Sequence, residues 1–302
     1  MSLRSFLFVP GDSEKKLAKA RDVGADALII DLEDAVMPPR KAVARDLTAR
    51  YIDTEARRVP AEIWVRINPL GTAFVLTDLN AVVRPGLRGL VVPKANGPAD
   101  LLRVSHYLDV LEARAGMEAG TVRLMSVATE TARSVFSLGE YATAGLSRLF
   151  GLTWGAEDLS AAIGASTNQG PDGEWALTYR MVRSQCLLAA RAAEVEPIDT
   201  LYANFKDPEG LALSCRLARS EGFTGRVAIH PDQVSVINAA FVPSAEEVAH
   251  AKRVIEAFAA KPGAGTVSLD GLMVDIPHFT RARRVLALHE AAVLGKRVAA
   301  GE

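Results

Sequence analysis

Two apolar stretches near the middle of the chain each end in acidic side chains. TVRLMSVATE ends at Glu130, and SRLFGLTWGAED ends at Glu157 and Asp158. If both stretches are parallel strands, their acids lie at the same edge of a sheet, where two carboxylates can hold a hard divalent cation such as Mg²⁺. The alternative is that each acid caps the helix that follows it, because carboxylates favour helix N-termini. At this point both interpretations of the pair stay open.

Polar residues also follow the other apolar stretches that are predicted to be strands. They are Glu33, Asp34, Arg66, Asn68, Lys94, Asn204 and His230. Glu33, Asp34 and Lys94 are predicted to form a charge network that orients the remaining groups, as the hydrogen-bond partners of metal ligands do. We therefore expect the active site at the ends of these predicted strands.

The apolar stretches alternate with helical segments over residues 4–230. Strands are predicted at 4–10, 26–32, 62–67, 88–92, 198–204 and 226–230, besides the two that end in the paired acids. One helix is predicted at 131–145, with Val135, Leu138 and Tyr141 at helical spacing. About eight strand–helix repeats predict a (β/α)₈ TIM barrel, whose active sites are built at the carboxyl ends of the strands. An open doubly wound sheet is the alternative, but no GxGxxG follows the first strand.

The end of the chain differs from the repeats. Residues 1–260 are predicted to form the catalytic barrel, and a Gly/Pro-rich linker begins at Lys261. Residues 266–275 are predicted to be extended around an Asp-Gly turn, and a last helix follows from Pro277. A segment of this size is too small for a core of its own. We therefore expect residues 261–302 to be a lid or oligomerisation segment that packs on its own barrel or on a neighbouring subunit.

Composition excludes several classes of function. The 302 residues carry a formal net charge of −1 without basic runs, so no nucleic-acid partner is expected. No apolar stretch is long enough to span a membrane, and no signal peptide is expected. The two cysteines, Cys186 and Cys215, lack metal-binding spacing, which favours a reduced, cytoplasmic setting. Neither HExxH nor GxSxG occurs.

Several motifs together resemble one known family over nearly the whole chain. They are FLFVPGDSEKKL, ADALIIDLEDAV, WVRINPL, GLVVPKA, GAEDLSAAIGA, GFTGRVAIHPDQ and DGLMVDIPH. The chain resembles the citrate lyase β-subunit-like (CitE-like) acyl-CoA lyases of the HpcH/HpaI aldolase superfamily, the malyl-CoA and citramalyl-CoA lyase type. The resemblance implies a Mg²⁺-dependent barrel, with Mn²⁺ as an alternative ion. It also implies cleavage or formation of a C–C bond between an acyl-CoA and a 2-oxo acid, and homotrimers or their multiples.

The same resemblance implies roles for individual residues. Glu130 and Asp158 match the metal-binding acids, Arg66 matches a catalytic arginine that steadies the substrate, and Asp275 matches a catalytic acid that reaches a neighbour's barrel. The positions that contact substrate or CoA are Phe8, Lys15, Lys19, Arg66, Ile229 and His230. Lys15 and Lys19 lie i, i+4 on one helix face, which suits a diphosphate but equally a solvated surface. Without the resemblance, Phe8 would be a core residue and His230 a residue of the barrel rim.

Other functions compete with a CoA-thioester lyase. One is a related thioesterase, a second is a CoA-independent 2-oxo acid aldolase, and a third is a non-catalytic subunit of a citrate lyase-type complex. Lys15 and Lys19 argue against the CoA-independent enzyme. The presence of the two metal-site acids together with Arg66 and Asp275 argues against a subunit that serves only as a scaffold.

Overall fold

The computed structural model describes residues 3–171 and 173–300, the last seven of these by their backbone alone. Within these residues, eight parallel strands form a closed barrel in which each strand pairs with the next and the eighth pairs with the first. The strands are β1 (Ser5–Pro10), β2 (Ala27–Asp31), β3 (Glu62–Arg66), β4 (Leu87–Val92), β5 (Arg123–Val127), β6 (Leu149–Thr153), β7 (Glu196–Asp199) and β8 (Gly225–Ala228). The predicted (β/α)₈ barrel is confirmed.

Helices connect the strands and continue after the last of them. They are α1 (Glu14–Ala20), α2 (Lys41–Glu55), α3 (Val75–Val82), α4 (Pro98–Arg114), α5 (Ala132–Phe136), α6 (Ala156–Ala162), α7 (Leu177–Ala192), α8 (Pro208–Glu221), α9 (Pro231–Ala240), α10 (Ala245–Ala259) and α11 (Ile276–Ala300), with 3₁₀ turns at Pro38–Arg40 and Leu138–Ala142. Side-chain oxygens cap the N-termini of several of these helices. Ser13 accepts a hydrogen bond from Lys16 N–H at the start of α1, and Ser244 forms a capping box with Glu247 at the start of α10. None of the helices in the described part of the chain is long and apolar enough to cross a bilayer.

Large apolar side chains fill the barrel interior. Phe6, Trp64 and Met125 are fully buried and pack in one cluster. A Cβ on Gly89 would lie 2.3 Å from the ring of Trp64, so the indole requires glycine on the neighbouring strand. Parallel strands that are covered on both faces have this near-continuous apolar character. Because the barrel interior is packed with apolar side chains, an active site is expected at the polar ends of the strands.

Two predicted elements are wrong in extent. The single helix expected at 131–145 is α5 followed by a 3₁₀ turn, because the helix ends at Ser137 and Gly139 follows, a residue of low helix propensity. The strand expected at 198–204 ends at Asp199, whose carboxylate accepts a hydrogen bond from the next backbone N–H, that of Thr200. Asn204 consequently lies in a loop and not at a strand end.

The chain separates into two compact units, Leu3–Ile237 and a C-terminal unit that begins at Asn238. In the C-terminal unit, β9 (Thr266–Leu269) and β10 (Leu272–Asp275) form an antiparallel hairpin whose turn residues Asp270 and Gly271 both have positive φ. This is the Asp-Gly turn that the sequence predicts. Helix α10 also belongs to this unit and contributes apolar residues to its small core. The division between a barrel ending at residue 260 and a lid remains a prediction.

Candidate active site

A cavity of about 600 Å³, open to solvent, lies at the carboxyl ends of the barrel strands. Apolar residues from four strands line its floor: Ile29, Val91, Met125, Val127 and Val227. The predicted site residues Phe8, Arg66, Glu130 and Asp158 all line it, and so does Glu157. The barrel thus brings together residues that are far apart in the sequence.

Arg66, the last residue of β3, is held by two acids. Its Nε and Nη2 donate to the two carboxylate oxygens of Asp31, each at 2.7 Å, and its Nη1 lies 2.9 Å from Glu33 Oε2. Burial opposes the charge, but the bonds and charges of Asp31 and Glu33 raise the pKa of Arg66 above its ordinary value. The guanidinium also lies over the Phe8 ring, 4.6 Å from its centroid. Arg66 is therefore a permanently charged, fixed donor at the cavity.

Asp31 is one of the residues of this site that sequence reasoning missed. It is the last residue of β2 and is paired in register with Arg66 on β3. Its carboxylate also accepts hydrogen bonds from the backbone N–H groups of Glu33 and Ala35. In the sequence it ends the apolar run ALIID, where the next acids, Glu33 and Asp34, drew attention instead. The signal that could have found it is a strand-terminal acid beside a strand-terminal arginine.

Lys94 connects several of the predicted acids. Its Nζ lies 2.5 Å from Glu33 Oε1, 2.9 Å from Asp34 Oδ2 and 3.2 Å from Asp158 Oδ1. Burial raises the pKa of Glu33, against the opposing effect of Arg66 and Lys94. For the more exposed Asp34, burial is outweighed by the bond to Lys94, and the pKa is lowered. The predicted network of Glu33, Asp34 and Lys94 is thus present as contacts.

Glu130 follows β5 and is only 5% exposed. Burial, together with the negative charges of Asp158 and Glu33, raises the pKa of Glu130 to about 8, although the backbone N–H of Lys94 donates to it and opposes the shift. A Cβ on Gly155 would lie 2.8 Å from Glu130 Cγ, so this glycine leaves the room that the carboxylate occupies. A buried carboxylate with two negative neighbours favours a nearby cation.

Asp158 lies in the first turn of α6 with its side chain 32% exposed. Among the described residues, no group of three or more His, Cys, Asp or Glu side chains has the arrangement of a closed metal site. Two carboxylates with the remaining positions open suit Mg²⁺, which usually keeps several waters and binds protein through one or two carboxylates. Glu130 and Asp158 therefore fit a magnesium ion whose remaining positions are open.

A second buried network supports the opposite side of the cavity. Asp199, the last residue of β7, accepts a hydrogen bond from Trp154 Nε1 at 2.8 Å and pairs with Arg183 and Arg226. Although burial opposes it, the charge of Arg226 lowers the pKa of Asp199. The indole of Trp154 meets Trp175 edge to face, and both rings line the cavity. Sequence reasoning did not identify this group.

Other predicted residues lie outside the cavity lining. Lys15 and Lys19 are exposed on α1, on one face as predicted. Ile229 and His230 follow β8, and the His230 ring stacks on Phe205 at 4.8 Å between centroids. Their proposed contacts with CoA stay predictions. Asn68 is buried and bonded to Leu32 O and Asp78, so it supports the fold and does not line the cavity.

Asp275 belongs to the C-terminal unit. It ends β10, and its side chain is 35% exposed. Its Oδ1 lies 2.5 Å from His278 Nδ1, and the hydrogen bond from His278 lowers the pKa of Asp275. The carboxylate is thus accessible and already has a hydrogen-bonding partner three residues away.

An eight-stranded parallel barrel that combines paired acids with an anchored arginine defines a class of barrel enzymes, and sequence comparison identifies the family. The family described as HpcH/HpaI aldolase/citrate lyase matches residues 4–231. A second family, described as a C–C bond lyase of the TIM-barrel fold, matches residues 188–295. The chain belongs to the HpcH/HpaI aldolase/citrate lyase family and is a carbon–carbon lyase. The resemblance stated from the sequence motifs is confirmed.

Individual relatives cover nearly the whole chain. Citrate lyase subunit beta of Haemophilus influenzae is 36% identical over 94% of this chain and 95% of its own length. A (3S)-malyl-CoA thioesterase of Cereibacter sphaeroides is 36% identical over 95% of each. The crystal structure of CitE from Mycobacterium tuberculosis, in complex with magnesium, acetoacetate and coenzyme A, superposes with a TM-score of 0.79. That match has 33% identity and covers 96% of this chain and 98% of the other.

Proposed function

We propose that this chain is a Mg²⁺-dependent lyase that acts on a 3-hydroxy-3-carboxyacyl-CoA thioester of the malyl-, citramalyl-, β-methylmalyl- or citryl-CoA type. It would cleave, or in reverse form, the carbon–carbon bond between an acyl-CoA and a 2-oxo acid. The observation that carries the proposal is the convergence of Glu130, Asp158 and the anchored Arg66 on one cavity. Relatives with magnesium, coenzyme A and a small oxo acid in their structures support it.

Glu130 and Asp158 would hold the metal ion. When bound, Mg²⁺ supplies Lewis-acid polarisation and a template for the oxygens of the 2-oxo acid. Manganese is proposed as a substitute ion because it accepts the same carboxylate and water ligands. Arg66, whose fork is held by Asp31, would face the oxygen on which negative charge develops. Because the guanidinium is already oriented, it costs no rearrangement during the reaction.

Asp275 is proposed as the acid/base for the carbon centre. In the condensation direction its carboxylate takes a proton from the α-carbon of the acyl-CoA, and the resulting enolate carbon attacks the keto carbon of the 2-oxo acid. The new C–C bond forms as the C=O π electrons move to oxygen, giving an alkoxide that Arg66 stabilises. The alkoxide then takes a proton from water, and Asp275 returns its proton to the solvent. Cleavage is the reverse. We propose that Asp275 serves a neighbouring barrel in a homotrimer or a multiple of it.

Lys15 and Lys19 are proposed to bind the phosphates of CoA. Both ammonium groups project from the same exposed face of α1, which follows β1. Phe8 on β1 lines the cavity under Arg66, and Ile229 and His230 follow the neighbouring strand β8. A thioester lying across these two strand ends would place its reactive carbonyl towards the cavity. These contacts would distinguish the protein from an aldolase that uses no CoA.

The experiment is a panel of thioesters with a metal control. Malyl-, citramalyl-, β-methylmalyl- and citryl-CoA are each incubated with the protein, with and without Mg²⁺, and acyl-CoA and 2-oxo acid are quantified together. The proposal expects equal amounts of the two products from at least one thioester, and none after chelation. Unchanged turnover in chelator, or no cleavage of any of the four, would contradict it.

The second candidate is hydrolysis of the thioester, which the 36% identity to (3S)-malyl-CoA thioesterases favours. Hydrolysis releases free CoA and a hydroxy acid, whereas the lyase reaction leaves CoA attached to the acyl product. Measuring free thiol and 2-oxo acid in the same incubation separates them. Free thiol without 2-oxo acid would assign the thioesterase activity to this chain.

A further inference from the structure

Lys94 has an unusual backbone conformation beside the proposed metal site. It follows β4 and Pro93, and its φ of 50° lies in the left-handed region. Residues other than glycine, asparagine and aspartate are uncommon in this region, because their side chains make it unfavourable. A lysine retained in such a place is expected to make contacts that depend on both its backbone and its side chain.

Those contacts reach both proposed metal ligands. The backbone N–H of Lys94 donates to Glu130 Oε2 at 2.5 Å, and its ammonium lies 3.2 Å from Asp158 Oδ1. One residue therefore holds one oxygen of each acid. Within the part of the chain that the structure describes, the other oxygens, Glu130 Oε1 and Asp158 Oδ2, have neither a hydrogen bond nor an ion pair.

Other acids keep the ammonium in place. Glu33 Oε1 and Asp34 Oδ2 lie within 2.9 Å of Lys94 Nζ, and Glu33 is itself fixed by Arg66. The ammonium is thus anchored from the side of β2 while it contacts Asp158. A cation that approaches Asp158 meets a resident positive charge at Oδ1 and a free oxygen at Oδ2.

We propose that Lys94 is a positioning residue that leaves each metal-binding acid one free oxygen and thereby favours Mg²⁺ over Ca²⁺. The proposal rests on the metal site of the proposed function. Magnesium takes six ligands in near-ideal octahedral geometry and accepts single carboxylate oxygens and waters. Calcium takes six to eight oxygens and gains from carboxylates that bind through both oxygens. Occupying one oxygen of each acid removes that gain.

The test is the ratio of two affinities. Mg²⁺ and Ca²⁺ are titrated separately into the full-length wild-type protein and into Lys94→Met by calorimetry, without substrate. Loss of the lysine charge acts alike on two divalent ions, so its electrostatic effect cancels in the ratio. Lys94→Met frees only Asp158 Oδ1, because the backbone N–H that binds Glu130 remains. We expect the Ca²⁺/Mg²⁺ affinity ratio to rise about tenfold in Lys94→Met, in the range seen when partners of metal ligands are changed.

A matched control and a second variant complete the experiment. Lys206→Met removes a lysine charge from the loop after β7, where the backbone of Lys206 contacts Asn204, and should leave the ratio unchanged. Lys94→Asn tolerates the left-handed backbone but is too short to reach Asp158. It should raise the ratio as Lys94→Met does.

Three outcomes would overturn the inference. An unchanged or lower ratio in the folded Lys94 variants shows that the lysine does not select the ion. Failure of both variants to fold, measured by circular dichroism, makes Lys94 a folding residue. Binding of neither ion by the wild-type protein removes the metal site and the proposed function with it. By contrast, if wild-type binding depends on Glu130 and the ratio does not move, only the role of Lys94 fails.

Discussion

The acids at the mouth of the barrel and the acid of the C-terminal unit are held in different ways. Glu33 is almost fully buried and contacts both Arg66 and Lys94, and Lys94 in turn contacts Asp34 and Asp158. Asp275 is about one-third exposed and is bonded to His278 within its own turn. The barrel groups are thus positioned by strand register, and the C-terminal acid is positioned by a local pair.

This difference suits the barrel charges and Asp275 to different chemical roles. A group of charges joined by several ion pairs suits the binding of a cation and the stabilisation of developing charge, because preorganised groups need no rearrangement. An accessible carboxylate with a single partner suits the transfer of a proton to and from a substrate carbon. Substitutions in the first region should therefore affect metal binding, and substitutions in the second should affect turnover alone.

The largest effect is expected at Glu130 and Asp158, the two acids that are proposed to hold the metal ion. Glu130→Gln and Asp158→Asn should each reduce thioester cleavage to the limit of detection, because each replaces an ionised ligand by a neutral amide. Glu130→Gln should keep its thermal stability, because a neutral amide is cheaper to bury than a carboxylate. Cleavage rates over a range of Mg²⁺ concentrations are the measurement.

Glu157→Gln is the matched control, because Glu157 lines the same cavity one residue before Asp158. It should retain activity. If Glu157→Gln lost activity while Asp158→Asn kept it, the second metal ligand would be Glu157.

Asp275→Asn should lower kcat by about 10²- to 10⁴-fold, the usual contribution of a positioned acid or base. Its metal affinity and KM should stay near those of the wild type, because the metal and CoA sites are proposed to lie on the barrel. Steady-state kinetics with a metal titration would check both. A parallel loss of metal affinity would place Asp275 among the ligands.

Mixing two inactive variants tests whether the acid serves a neighbouring subunit. Glu130→Ala and Asp275→Asn are combined under conditions that allow subunit exchange, which is verified by mass spectrometry. Partial recovery is expected, since some interfaces then join an intact barrel to an intact C-terminal unit. Exchange without recovery would assign Asp275 to its own barrel.

Exchanging both Lys15 and Lys19 for glutamine should give a smaller effect. The KM for the thioester should rise by up to about thirtyfold, because two exposed ion pairs contribute up to about 1 kcal/mol each. The KM should also become less sensitive to salt, which screens phosphate attraction. Lys16→Gln, on the same helix and also exposed, is the control. If the double variant and the control changed the KM equally, the Lys15/Lys19 face of α1 would be an ordinary solvated surface and not a CoA site.

The smallest effect concerns pH. The hydrogen bond from His278 lowers the pKa of Asp275, so the carboxylate stays ionised to lower pH than an isolated one. His278→Ala should raise that pKa and move the acidic limb of the kcat–pH profile of condensation to higher pH. His250→Ala, on α10 of the same unit, should leave the profile in place. An acidic limb that does not respond to His278 would show that another group titrates there.

The lowered pKa of Asp275 also makes the stability of the fold depend on pH. Because the pKa of Asp275 is lowered in the folded state, the pair stabilises the fold above the ordinary pKa of an aspartate and loses this contribution as pH falls through the lowered value.

The sequence predicts the site to the extent that strand ends determine it. Arg66, Lys94 and Glu130 end or closely follow apolar runs, and parallel strands bring their carboxyl ends to one face. Asp31 was missed because its partner lies 35 residues away and only the β2–β3 register joins them. The end of β7 was misplaced because its apolar pattern continues beyond Asp199, where a buried hydrogen bond and ion pairs end the strand. Such long-range partners leave no periodic trace in a sequence.

Glu130 and Asp158 are proposed to bind one divalent cation together at the barrel mouth. A crystal of the protein grown with Mn²⁺ and a 2-oxo acid, with data collected at the manganese absorption edge, tests it directly. We expect one strong anomalous peak within coordination distance of Glu130 Oε1 and Asp158 Oδ2, and its loss in Glu130→Gln. A peak bound elsewhere, or no peak at an ion concentration that supports turnover, would contradict it.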